Sequence, residues 1–352
     1  MSTFAVTSEL VEKVWTHPNA DSLELAKLEG MGFQFVVPKG QLSEGELVLY
    51  FPIDSLIPDY ILEYVGLTGK LSGPKKNRVK TIRLRSELSE GLLIPPHQLG
   101  LFPDSTVGRD YTEKLGVTKY EPPEVLTKNA RTRTLPPEIK YYDIEGAQRW
   151  PDVVEALMDV PVLITEKIEG SNYAAMLKRD GSFVVCTHRQ QVEELEGCTH
   201  TWWEVTRKQD IQAKAQELLD SRPLADYVII RGEVVGPKIQ GNYYKFKDFR
   251  LYIFDVEFNG LPVDAAEYEE LYSLFDTMLV PCLWFGKTLR EYLKFWDNLS
   301  VQAASNGPSR LVPGPIIREG IAIRPMTEQS WPKLGRVILK QRSPDYLVKT
   351  GA

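Results

Sequence analysis

An apolar, β-branched run from Val160 to Ile164 passes into Thr165-Glu166-Lys167-Ile168-Glu169-Gly170-Ser171-Asn172, and this stretch constrains the chain more than any other. The run has the composition of a buried strand, so the lysine stands where that strand gives way to a glycine turn. Two flanking carboxylates, and a glycine that lets backbone come close to a ligand, suit a covalent nucleophile. Taken alone, the same residues also read as an exposed loop lysine. Residues further along the chain bear on the choice.

At 352 residues, 43% hydrophobic and 26% charged, the chain has the length for two domains and the composition of a globular protein. Met1 to Leu10 carries no basic region followed by an apolar core, and no apolar run approaches the roughly 20 residues of a membrane helix. The expected setting is cytoplasmic, or a similar reducing compartment, with no membrane and no evident protein partner. Cys186, Cys198 and Cys282 lack the paired spacing of a zinc site and cannot all form disulfides, so they read as buried fillers or free thiols. A net charge of -6 argues against general coating of nucleic acid, but a local basic surface on an acidic chain still binds phosphates.

From Phe4 to about Gly116, short strands alternate with turn residues: Leu23–Leu28, Gly32–Val37, Leu47–Phe51, Val79–Leu84 and Gly91–Ile94. This rhythm predicts a small barrel, and residues 1–118 are taken as one domain. His17-Pro18-Asn19-Ala20-Asp21 and the segment from Gly45 to Asp54 resemble OB-fold barrels of tRNA-binding modules and of the front of some RNA ligases. Within the barrel, Lys75, Lys76, Arg78, Lys80, Arg83 and Arg85 supply six positive charges with no acid among them. Strand alternation predicts Arg78 and Lys80 on one face and, after a register change near Thr81 and Ile82, Arg83 and Arg85 on one face. Such a stretch fits a groove that tracks a nucleic-acid backbone, and equally an edge strand protected by charge.

Between Thr118 and Asp152, Pro122-Pro123 and Pro136-Pro137 bracket Lys128, Arg131 and Arg133. This composition disfavours continuous helix or strand, so residues 119–150 read as a linker and the start of a second domain over 151–352. Arg149 reads as a surface arginine that could reach a phosphate. Further on, Glu204–Ser221 carries one helical face through Ile211, Ala215, Leu218 and Leu219. Thr288–Leu299 carries another through Leu289, Tyr292, Leu293 and Trp296. Strands are expected at Tyr227–Val234, Leu251–Glu257, Gly320–Arg324 and Arg336–Arg342.

Starting at the lysine, the chain then supplies Lys167-Ile168-Glu169-Gly170, His188-Arg189, Arg231-Gly232-Glu233, Tyr252-Ile253-Phe254-Asp255, Glu319-Gly320-Ile321-Ala322-Ile323-Arg324 and Leu339-Lys340-Gln341-Arg342. A lone KxxG recurs by chance; this ordered series, mostly on expected strands, is far more specific. The order resembles the nucleotidyltransferase motifs of covalent polynucleotide ligases and capping enzymes. In detail it is most similar to RNA ligases of the RNA ligase 2 type, in the branch with an N-terminal OB barrel. The resemblance implies an α+β chain: an OB-like β-barrel, then an adenylyltransferase domain of antiparallel sheets flanked by helices.

It also implies roles. Lys167 would attack the α-phosphate of ATP as a neutral amine, although free lysine titrates near about 10.4, so positive charge from a metal and from Lys340 has to favour the neutral form. Lys340 and Arg342, two apart on a strand, would face the same phosphate. Arg342 stands where relatives more often carry lysine. Glu319 and Glu169 would hold Mg2+ or Mn2+ directly or through water, with Glu233 beside them; many relatives have aspartate where Glu169 stands. Glu233 would also accept from the ribose hydroxyls, Phe254 would stack on adenine, and the backbone around Glu166 would meet the base edge. Arg189 and Asn172 match positions that contact phosphate or the nucleic-acid end.

The implied function is ATP-dependent sealing of 5′-phosphate and 3′-hydroxyl RNA ends, with a nicked duplex or an RNA/DNA hybrid as partner. A binding module without catalysis, a DNA ligase and a capping guanylyltransferase are the other readings.

Overall fold

The computed structural model describes residues 4–101, 106–120, 131–297 and 299–350. The part of the expected linker that holds Pro122-Pro123 and Lys128 lies outside the described residues. Packing divides the chain into two compact units, one of residues 2–122, 146–155 and 342–352, the other of residues 123–145 and 156–341.

In the first unit, five antiparallel strands run in the order Gln34–Pro38, Leu23–Leu28, Thr7–Thr16, Leu47–Phe51, Leu92–Ile94. The long strand Thr7–Thr16 serves two neighbours because a register shift between Val11 and Lys13 bends it, the usual device for curling a sheet. The Val36 N–H donates to Ser89 Oγ at 3.1 Å, which brings the outer strand back toward the far side. The result is a nearly closed, OB-like barrel. Gly91 is required there: a Cβ would lie 2.7 Å from the Tyr50 ring, and its φ is +134°.

This unit also takes chain that sequence order assigned elsewhere. The Gly32 N–H donates to the Gln148 carbonyl at 2.9 Å, and the helix Pro344–Thr350 packs on the strand Thr81–Leu84. Residues 146–150, expected in the linker, and residues 151–155 and 342–350, expected in the second domain, group by packing with the first unit.

Two antiparallel sheets make up most of the strand structure of the second unit. The seven-stranded one runs Arg131–Thr134, Gln190–Glu193, Phe183–Cys186, Ser171–Lys178, Tyr227–Val235, Arg250–Phe258, Leu261–Pro262. Period-two alternation sends Tyr173, Ala175 and Leu177 to a core shared with the helices, and Ala174 and Met176 to a second core with Ile139 and Ile229. The five-stranded sheet runs Glu145–Gly146, Leu339–Arg342, Gly320–Pro325, Pro161–Lys167, Cys282–Thr288.

Three expected elements differ. Glu204–Ser221 is two helices, Thr201–Lys208 and Ile211–Ser221. The Gln209 side-chain amide bonds both backbone groups of Leu251, and Asp210 turns with φ 52°. The span Arg336–Arg342 is also split. Gly335–Arg336 pairs with Ser330–Trp331, while Leu339–Arg342 joins the five-stranded sheet. The second helix is shorter than expected: Leu289–Phe295, with Thr288 and Glu291 forming a capping box.

Cys186, Cys198 and Cys282 are free thiols, the first two buried. Among the described residues no helix is long and apolar enough to cross a membrane.

Candidate active site

The strand Pro161–Lys167 ends on the lysine, and its register with Gly320–Pro325 sets Lys167 opposite Gly320. Glu319 is the residue just before, and Lys167 Nζ donates to its Oε1 at 2.6 Å. One strand further across the sheet stands Lys340, whose Nζ donates to Asp143 Oδ1 at 3.1 Å. Along Leu339–Arg342 burial alternates, which leaves Lys340 and Arg342 on the more open face.

The other sheet supplies the facing wall. Glu233 pairs across it with Asn172. Gly170 makes this junction possible, because a Cβ there would lie 2.5 Å from the Val234 carbonyl and 2.6 Å from Glu233 Cγ. The close approach that this glycine permits is thus to the Glu233 strand. On the next strand the register jumps from Arg231–Asp255 to Gly232–Ile253, so Phe254 has no cross-strand partner. It is a bulge residue, and the bulge aims its ring at a cavity that Lys167, Asn172, Glu233 and Lys340 also line.

The profile of the RNA ligase family matches residues 160–342, more than half of the chain. The chain belongs to the RNA ligase family. An OB-fold domain profile matches residues 5–96 of the ligase. Among solved structures, the ligase is similar to Naegleria gruberi RNA ligase with PPi, at 25% identity over 98% of each chain and a TM-score of 0.77. A mutant of that protein with ATP and Mn gives 25% identity over 99% of this chain and 98% of the other, with a TM-score of 0.78. Another mutant with AMP and Mn gives 25% over 97% and 98%, with a TM-score of 0.77. No curated protein matches the chain.

Of the expected site residues of the ligase, Glu166 lines the cavity, whereas Arg189 and Arg342 do not. Arg189 is exposed in the turn after Phe183–Cys186 and is not among the cavity walls. Arg342 packs with the first unit. The Glu166 N–H is committed to the Pro281 carbonyl at 2.8 Å. The buried Glu166 carboxylate accepts from Ser309 Oγ at 2.5 Å and from the Arg310 N–H at 2.7 Å. Burial raises its pKa against these hydrogen bonds. It therefore anchors the loop that leads to Glu319.

In the first unit, Lys75 and Lys76 occupy an exposed turn. Arg78 is held by Asp54 at 2.6 Å and lies 3.6 Å over the Tyr120 ring. Burial and Arg78 lower the pKa of Lys80. The expected shared face of Arg83 and Arg85 does not form. The strand stops at Leu84, and Arg85 and Ser86 make the hairpin turn with φ of 47° and 79°.

Two cavity residues carried no sequence signal. The Tyr142 ring lies 5.1 Å from Phe254, and its hydroxyl donates to Asp255 at 2.7 Å. Asp143 is the partner of Lys340. Both lie in an aperiodic segment, far along the chain from what they touch.

Among the described residues no group of three His, Cys, Asp or Glu side chains is placed to hold a metal ion by itself. Glu169, Glu233 and Glu319 thus form no closed cage. Glu319 Oε2, however, is buried and accepts no hydrogen bond, as suits an oxygen awaiting a cation.

Burial pushes the Glu233 carboxyl up to about 8; Lys167 opposes the shift, while Glu319 and Glu169 add to it. Folding favours the protonated form, so the destabilising cost of ionisation accrues as pH rises from 4.5 toward about 8. In protein free of nucleotide and metal, Glu233→Gln raises Tm at pH 8 by roughly 5 °C and at pH 5.5 by much less. Thermal melts in chelator check this; an equal shift at both pH values contradicts it.

Proposed function

We propose that this ligase joins RNA 5′-phosphate and 3′-hydroxyl ends with ATP, through an adenylate carried on Lys167. The observation that carries the reading is the register that sets Lys167 opposite Gly320 and so within 2.6 Å of Glu319, with Lys167, Glu233, Phe254 and Lys340 lining one cavity.

In the first step Lys167 Nζ attacks the α-phosphorus of ATP, a P–N bond forms, the bond to the bridging oxygen breaks, and pyrophosphate leaves. An ammonium that donates to a carboxylate has no lone pair to offer, so the Lys167–Glu319 contact has to give way first. Once Lys167 turns from Glu319, its proton leaves to solvent, and the positive charge of Lys340 in the same cavity favours the neutral amine. Lys340 stabilises the charge that builds on the phosphate oxygens. In the next two steps AMP passes to the RNA 5′-phosphate, and the 3′-hydroxyl then displaces it. Both are displacements at phosphorus, where positioning and charge stabilisation do most of the catalysis.

Asn172 and Glu233, paired across their strands, face the nucleoside, and the Phe254 ring stacks on its base. Glu319, with Glu169 and Glu233 acting through water, would hold Mg2+ or Mn2+, the nucleotide phosphates completing the ligand set. Bound there, the cation supplies charge neutralisation on the phosphates.

Lys75, Lys76, Arg83 and Arg85 are exposed and offer charge to RNA phosphates, whereas Arg78 is occupied by Asp54. Nicked RNA duplexes or RNA/DNA hybrids are the substrates that this reading favours over free single strands. The test is a set of nicks that exchange ribose and deoxyribose on each side of the break. A ribose 3′-end is expected to seal at least about tenfold faster than a deoxyribose end, a difference of about 1.4 kcal/mol in the barrier. Equal rates would point to a DNA ligase instead.

A further inference from the structure

The ion pair between Lys340 and Asp143 goes beyond the sequence motifs. Both side chains are about a quarter exposed, 28% and 25%, and both residues line the cavity. Asp143 is not a mobile loop acid. On one side of it the Tyr142 hydroxyl is fixed to Asp255, and on the other Glu145–Gly146 pairs beside Leu339–Arg342. Its carboxylate oxygen presents to the lysine what a phosphate oxygen would present, an anionic acceptor at hydrogen-bonding distance.

The geometry points to Asp143 as the internal counterion of Lys340, a positioning residue that holds the ammonium at the cavity wall of the empty enzyme and yields it to the nucleotide α-phosphate. The lysine's flexible four-carbon stem lets the exchange occur without backbone movement. The inference rests on the proposed function only in taking a nucleotide as the incoming anion. Its consequence is competition: whatever Lys340 gains from Asp143 is subtracted from what it gains by meeting the phosphate. Asp143→Asn therefore tightens nucleotide binding instead of weakening it.

The experiment is equilibrium binding of α,β-methylene-ATP, which the enzyme cannot cleave between the α and β phosphorus atoms, at fixed Mg2+. Wild type, Asp143→Asn, Asp143→Glu, Lys340→Ala and the Asp143→Asn/Lys340→Ala double variant are compared. Asp143→Asn is expected to bind about threefold to tenfold tighter and Asp143→Glu like wild type; the gain should vanish when Lys340 is alanine. Unchanged or weaker binding by Asp143→Asn overturns the inference. So does a gain that persists without Lys340, which would make Asp143 a plain repeller of phosphate. If Asp143→Asn fails to fold, Asp143→Ser removes the same charge and decides by the same criteria. Adenylate formation by the wild type from α-labelled ATP is measured alongside. Its absence would refute the proposed function, while the binding cycle still decides the role of Asp143.

Discussion

Lys167→Ala is expected to form no covalent adenylate with α-labelled ATP, while wild type retains label through denaturation. The loss is complete because no other group in the cavity can replace the amine: Lys340 is one strand further away and engaged by Asp143. The variant also leaves Glu319 without its partner at 2.6 Å, so it is expected to be less stable by about 1–3 kcal/mol. Two companion measurements separate chemistry from folding. The variant should still give a cooperative melt, and it should still seal a nick whose 5′ end already carries AMP. That last step needs a nucleophilic 3′-hydroxyl and a charged cradle but no lysine adenylate. A variant that melts normally, takes no label and yet seals the adenylylated nick assigns the lysine to the first step. Label retained by Lys167→Ala would reject the assignment.

The largest effect on stability is expected at Asp255→Ala. This carboxylate, its side chain 1% exposed, accepts from Arg324 at 3.1 Å, from Arg336, and from the Tyr142 hydroxyl at 2.7 Å. Burial alone would raise its pKa, but Arg336 and Arg324 outweigh it and hold the carboxyl below its usual range. Its contribution is therefore present above pH 3.8 and is lost only as pH falls through the lower folded value. Without it two arginines lose a shared buried counterion; Glu328 remains beside both, and the Tyr142 hydroxyl beside Arg336. The expected cost is about 3–5 kcal/mol, or a fall in Tm of roughly 10 °C for a unit of this size. Nucleotide binding should fall as well, since Phe254 and Tyr142 at the cavity wall are both held through this residue or its neighbour. A melt at neutral pH within about 2 °C of wild type would contradict the assignment.

How much of this was legible in the sequence depended on the distance over which each cause acts. The lysine strand was legible because burial and period-two alternation are local, and the strands Leu23–Leu28 and Leu47–Phe51 have the bounds read from their turn residues. The motif order pointed to the family. What brings the motifs together was not legible: the register setting Lys167 opposite Gly320 joins residues far apart in sequence. The break at Gln209 was not legible because its cause is a side chain bonded to the backbone of Leu251, far along the chain. The hairpin turn at Arg85-Ser86 lacks the Asn-Gly or Asp-Gly pair that marks such turns. The split at Arg336 has a similar origin, its guanidinium being drawn to Asp255 and Glu328. Tyr142 and Asp143 lie in a short segment with no periodicity, where only their tertiary partners reveal a use.

The central claim is that the side chain at position 167 carries the adenylate. It is tested most directly by incubating wild-type protein with ATP and Mg2+, digesting it, and locating AMP by tandem mass spectrometry. The account predicts AMP on the peptide that contains Lys167, through an acid-labile, base-stable P–N bond. AMP on any other residue, or none on a protein that nevertheless seals nicks with ATP, would contradict it.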